Sequence, residues 1–179
     1  MKKNKRAKWI GLAAMLLVVL ADQLTKYFAI TYLKPVGKAP FIPGILHFQW
    51  VTNYGAAWGN FAGNQWILLG LTGVLVVVLI LAVFCGWIKD VPLSILFLLF
   101  AGGGIGNLID RLRFGYVVDF LKFSFFEFPV FNVADSVITV CAVITFVYVF
   151  FIQGRKTKKA KKAAETAEET PADGADHEA

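Results

Sequence analysis

The sequence predicts an all-α membrane protein: four transmembrane helices with a small β-cradle on the outer face. Three observations predict it. Hydrophobic residues make up 58% of the 179 positions, and mean hydropathy is +0.64, against roughly 45–50% apolar residues in ordinary soluble domains. Long apolar runs recur along the chain, several without one charged side chain. Basic clusters flank those runs: Lys2, Lys3, Lys5, Arg6 and Lys8 before the first, Arg155, Lys156, Lys158, Lys159, Lys161 and Lys162 after the last. That is the positive-inside signal, which reads both termini as cytoplasmic. It also accounts for the net charge of +6 without nucleic acid as a partner.

Taken in order, residues 1–8 are a basic cytoplasmic N-terminus and residues 9–152 the four-span domain. The first run, Trp9–Ala21, is interrupted by Asp22 and Lys26 before Tyr27–Leu33 resumes it. A cleaved signal peptide ending at Val19-Leu20-Ala21 would explain the first part. The apolar residues 27–33 favour one longer, retained helix, with Asp22 and Lys26 one turn apart on one face. Trp66–Trp87 is uncharged over 22 positions, enough to cross a hydrocarbon core of about 30 Å. After a tight inner turn at Ile88–Asp90 come two further apolar runs, Val91–Ile109 of 19 residues with Asn107 near its end and Val133–Ile152 of 20 with Asp135 near its start. The outer face then carries segments 34–65 and 110–132. In the first, Leu46, Phe48 and Trp50 alternate with His47, Gln49 and Val51, a period of two. Tyr116–Phe128 is rich in β-branched and aromatic residues. Both are expected to lie on the membrane surface as a small sheet. Residues 153–179, mostly Lys, Ala, Glu, Thr and Asp, have no apolar face and are expected to be a disordered cytoplasmic tail.

Ionisable groups at bilayer depth are costly, so the polar residues carry the information. Asp22 and Lys26 read as a mutual salt bridge, a functional pair, or both. Asn53-Tyr54-Gly55-Ala56-Ala57-Trp58 reads as a turn with an interfacial tryptophan, or as close backbone approach to a substrate. Gly102 and Gly106 form a small-xxx-small face that admits another helix. Asn107 and Arg111 share a face, and Asp110–Arg111 reads most simply as an ion pair at the membrane edge. Asn132 with Asp135 has the spacing of a helix cap. Asp119, flanked by apolar residues in a strand-like stretch, has no local partner. Phe120–Val130 can fold back to bring Asp119 and Asp135 together. Two adjacent carboxyl groups cannot both ionise cheaply and would share a proton. One would then act as base on a water and the other as acid toward the carbonyl and the leaving amine. That chemistry needs neither a metal nor a cofactor, and it fits a chain with only His47 and His177 and with isolated Cys85 and Cys141.

The ordered set Asp22-Gln23-Leu24-Thr25-Lys26, Asn53-x-Gly55-Ala56-Ala57, Gly106-Asn107-Leu108-Ile109-Asp110-Arg111, Val118-Asp119-Phe120 and Phe131-Asn132-x-Ala134-Asp135-Ser136 resembles that of bacterial lipoprotein signal peptidase, signal peptidase II. The resemblance spans about residues 9–152 and leaves out the tail. It implies an aspartic endopeptidase of the bacterial inner membrane, with its site at the periplasmic face. Such an enzyme removes signal peptides from prolipoproteins, cutting just before a diacylglyceryl-modified cysteine. Asp119 and Asp135 would then be the catalytic pair. Asn53, Asn107, Arg111 and Asn132 would orient the substrate or the pair, Asp22 would support the site, and Lys26, Gly55 and Asp110 belong to the same set. The third-run glycines would open an apolar groove for the signal peptide and lipid. Prolipoproteins and membrane lipids are the expected partners of a chain working as a monomer. The competing class is a proton- or ion-coupled transporter using the intramembrane Asp and Lys, although such proteins place these groups near the midplane and often show repeats.

Overall fold

The computed structural model describes residues 2–55 and 64–153. The expectations for Ala56, Ala57 and Trp58 and for the C-terminal tail fall outside those residues. Four helices among the described residues are long and apolar enough to cross a membrane: Lys5–Leu33, Gln65–Phe84, Val91–Phe114 and Val133–Phe151.

Helix α1 (Lys2–Phe28) passes without a break through Asp22 and Lys26 and ends in a π-helical turn, Ala29–Leu33. The charges do not end the helix because each finds a partner inside the protein. An antiparallel hairpin follows, β1 (Lys38–Ile42) and β2 (Leu46–Asn53), turning at Gly44 with φ of 74°. Pro40 sits in β1, the edge strand, where a missing N–H costs no ladder bond. Helices α2 (Gln65–Phe84) and α3 (Val91–Phe114) are joined by a short turn. Gly86 makes it possible with φ of 82°, and Asp90 caps α3 by accepting from Leu93 N at 3.2 Å. Lys8 Nζ donates to Phe84 O at 3.1 Å, so a cation from α1 meets the carbonyl end of α2.

α3 runs past Ile109, where the apolar run ends, and takes in Asp110, Arg111 and Arg113. It stops at Gly115, whose φ of 75° gives a left-handed cap. β3 (Val117–Phe123) then pairs antiparallel with β2, completing a sheet of order β1-β2-β3. The chain folds back so that Phe131 exchanges backbone bonds with Leu121, 2.8 and 2.9 Å, immediately before α4 (Val133–Val147). A second π-helical segment, Tyr148–Gln153, follows. The described residues up to Ala142 form one compact unit and those from Val143 to Gln153 belong to another. The polar site lies in the first.

α3 is the central helix: half of its most apolar window is buried, against 22%, 22% and 11% for the other spans. Its glycines let neighbours close in on three sides. A Cβ on Gly102 would stand 2.9 Å from Met15 O, one on Gly103 2.8 Å from Ala134 O, and one on Gly104 2.7 Å from Val76 Cγ2. These glycines therefore close the helix contacts instead of opening a groove. An apolar hollow of about 300 Å³ lies between the C-terminal end of the first span and the sheet, lined by Phe28, Tyr32, Val36, Phe48 and Phe120. Outward faces of the spans, such as Leu16, Leu17, Leu20, Leu71 and Val74, are exposed and apolar, as a lipid environment requires.

Candidate active site

The site forms where the C-terminal end of α1, the C-terminal half of α3, strands β2 and β3, and the first turn of α4 converge. Asp119 is buried in β3, whereas Asp135 lies in the first turn of α4. Asn132 joins them. Its Nδ2 donates to Asp119 Oδ1 at 2.7 Å, while its Oδ1 accepts from Asp135 N at 2.9 Å and its own backbone N–H donates to Asp135 Oδ2 at 3.2 Å. This is a reciprocal capping box. The cap and the carboxylate pair are thus one structure, so the two readings of Asp135 do not exclude each other.

The second oxygen of each carboxylate is also engaged. Asn53 Nδ2 donates to Asp119 Oδ2 at 2.9 Å, and Asn107 Nδ2 donates to Asp135 Oδ1 at 2.8 Å. Amide orientation follows from the other ends of these side chains. Asn53 Oδ1 accepts from Gly55 N at 2.9 Å, and Asn107 Oδ1 accepts from Lys26 Nζ at 2.9 Å and from Asn132 Nδ2 at 3.1 Å. A lysine ammonium or a backbone N–H can only donate, so each amide NH₂ must face a carboxylate. Burial first, and the Asp135 carboxylate second, push Asp119 up to about 7, against the opposing pull of Asn53, Asn132 and Lys26. A carboxyl group titrating there can hold or release a proton at neutral pH.

Beneath the pair lies a buried ionic cluster. Lys26 pairs with Asp22 at 2.9 Å and with Asp110 at 3.0 Å. The expected Asp22–Lys26 bridge is present. The expected Asp110–Arg111 pair is not: consecutive helical residues point apart, so Asp110 turns inward to Lys26 while Arg111 turns toward β2. There Arg111 Nη2 donates to Gly55 O at 3.1 Å and Nη1 to Asn107 O at 3.4 Å. Gly55 is buried, linking Arg111 to Asn53. All ten residues singled out in the sequence are therefore gathered in one place. Gln23 had not been singled out, yet its Nε2 lies 3.0 Å from Asp110 Oδ1 and 3.1 Å from Gly106 O. The available signal was its spacing three residues before Lys26, which puts it on the same helical face.

A buried and a half-buried carboxyl group, bridged by Asn132 at one end of a bundle of apolar helices, define a membrane aspartic peptidase as the class. The comparisons sharpen this. The family model for signal peptidase (SPase) II matches residues 14–151. A lipoprotein signal peptidase of Lactobacillus gasseri is 41% identical over 156 residues, covering 84% of this chain and 99% of its own. One from Moorella thermoacetica is 48% identical over 124 residues, covering 69% and 81%. A bacterial membrane enzyme solved by the in meso method at 2.3 Å resolution superposes with a TM-score of 0.76 at 28% identity, over 82% of this chain and 91% of that one. The chain belongs to the signal peptidase II family and is a multi-pass membrane aspartic endopeptidase. The transporter alternative finds no support among these relatives.

Proposed function

We propose that Asp119 and Asp135 are the catalytic pair, and that the substrate is a prolipoprotein cut just before a cysteine bearing a diacylglyceryl group. The observation that carries the proposal is the Asn132 bridge, which binds both carboxyl groups at the membrane edge. One carboxylate takes a proton from a water, whose oxygen attacks the scissile carbonyl carbon. The other, protonated, donates to the carbonyl oxygen. Collapse of the tetrahedral intermediate breaks the C–N bond, and the leaving amine takes up a proton from the pair. Asn53, Asn107 and Asn132 hold both side chains through the cycle. Arg111 Nε, buried and without a partner among the described residues, is a donor available to the substrate backbone.

A lipid-anchored cysteine pins the scissile bond at the membrane–water boundary, and the pair sits at the outer ends of the spans. Both termini are cytoplasmic, the site faces the periplasm across the bacterial inner membrane, and the enzyme works as a monomer among membrane lipids without nucleic acid. Purified protein given a diacylglyceryl-modified prolipoprotein should release the signal peptide, leaving the modified cysteine as the new N-terminus. Cleavage of the same precursor lacking the lipid at an equal rate would contradict the substrate assignment.

A further inference from the structure

Lys26 is 2% exposed in its side chain, and its ammonium has three protons for three acceptors: Asp22 Oδ2 at 2.9 Å, Asp110 Oδ2 at 3.0 Å and Asn107 Oδ1 at 2.9 Å. The two carboxylates spend further lone pairs on the backbone in matching ways. Asp22 Oδ1 accepts from Ala134 N at 3.0 Å, and Asp110 Oδ2 accepts from Val118 N at 3.0 Å. Ala134 immediately precedes Asp135, and Val118 immediately precedes Asp119. The third acceptor, Asn107, passes its amide to Asp135 Oδ1 at 2.8 Å. Gln23 Nε2 ties the two supporting carboxylates together, 3.0 Å from Asp110 Oδ1 and 3.3 Å from Asp22 Oδ2.

We propose that Lys26, assisted by Gln23, is a positioning residue that sets the separation of the catalytic carboxylates by fixing the backbone N–H ahead of each one through Asp22 and Asp110. The inference rests on Asp119 and Asp135 being the catalytic pair. Those residues stand on different elements, β3 and α4, joined by the turn of residues 124–132. Lys26 reaches both elements from a third, α1. Charge alone does not meet this requirement. Arginine keeps the charge, but its planar fork cannot send three donors from one point to three converging acceptors. Displacing either backbone segment by a fraction of an ångström changes the geometry of proton transfer while leaving the substrate's own contacts in place.

The test compares Lys26→Arg, Lys26→Met and Gln23→Leu with the wild type, Asp119→Asn and Asp135→Asn, all purified in detergent. The substrate is a synthetic prolipoprotein peptide carrying diacylglyceryl-cysteine. Circular dichroism and size-exclusion chromatography give the folded fraction, and rates are expressed per folded molecule. The expected result is a fall in kcat of about tenfold to a hundredfold for Lys26→Arg, a smaller fall for Gln23→Leu, and KM within about twofold of wild type in both. Lys26→Met is expected to lose at least as much as Lys26→Arg. If it does not fold, the other two variants decide. Wild-type kcat in Lys26→Arg, or a rise in KM with kcat unchanged, would overturn the inference while Asp119→Asn and Asp135→Asn stay inactive. Wild-type rates in either of those two would overturn the catalytic pair itself.

Discussion

Asn53, Asn107 and Asn132 each have one end of the amide committed before a carboxylate is considered, to Gly55 N, Lys26 Nζ and Asp135 N respectively. The same three residues as Asp would turn acceptor toward acceptor. Asparagine is therefore required by hydrogen-bond direction, and size alone would not explain it. The donation from Asn53 favours the ionised form of Asp119. Replacing Asn53 by Ala should move the limb of the pH–rate profile governed by Asp119 upward by about one pH unit; an unmoved or lowered limb would contradict that assignment. A second consequence concerns stability. Asp119 has a folded value of about 7 against an ordinary 3.8, so between those limits the unfolded chain is ionised while the folded chain keeps its proton. Folding stability therefore falls as pH rises from 3.8 to about 7, and the loss is complete above that. Asp119→Asn cannot ionise, so its melting temperature relative to wild type should be higher at pH 8 than at pH 4. An equal difference at both pH values would show that Asp119 is not perturbed.

At the scale of elements, α3 holds the other spans at short range because it carries glycine where they cross. A Cβ on Gly102 would meet the backbone of α1, and one on Gly106 would run into Asp22 Oδ2. Backbone cannot yield as a flexible side chain can, so Gly102→Ala should destabilise the protein by about 1–3 kcal/mol, read as a lower melting temperature in detergent. Gly106→Ala should displace Asp22 and reduce turnover as well; full activity there would argue against any role for the cluster. Much of this was legible in the sequence. Hydropathy located all four spans, the small-xxx-small spacing of Gly102 and Gly106 pointed to a close helix contact without naming the partner, and the alternation around Phe48 marked β2. Element ends were less legible. The apolar run stops at Ile109, but α3 continues to Phe114 because Asp110 is satisfied by Lys26 and Gly115 supplies the cap. β1 escaped notice because Pro40 and Pro43 disguise an edge strand as a turn. Asp110 was assigned to its sequence neighbour Arg111, although its partner lies on another helix. Spacing along one chain cannot reveal such a contact.

For the molecule as a whole, two signals must agree. The basic clusters at both ends of the sequence and the even number of spans support the proposal that both termini lie on one side. Lys8 meets the end of α2 at one end of the bundle, while the sheet and the carboxylate pair occupy the other. Cys85, exposed at the end of α2, supplies a native probe of the side proposed to be cytoplasmic. In intact cells an impermeant maleimide should label a Ser124→Cys variant and leave Cys85 unmodified. Labelling of Cys85 from outside would invert the proposed orientation and remove the site from the periplasmic face.

The most direct measurement is hydrolysis of a diacylglyceryl-modified prolipoprotein by the wild type, Asp119→Asn and Asp135→Asn, with all three shown to be equally folded. The account predicts signal-peptide release by the wild type and a loss of about 10⁴-fold or more in each variant, since both members of an acid–base pair are needed for one turnover. Turnover by either variant at the wild-type rate would contradict the assignment of the pair.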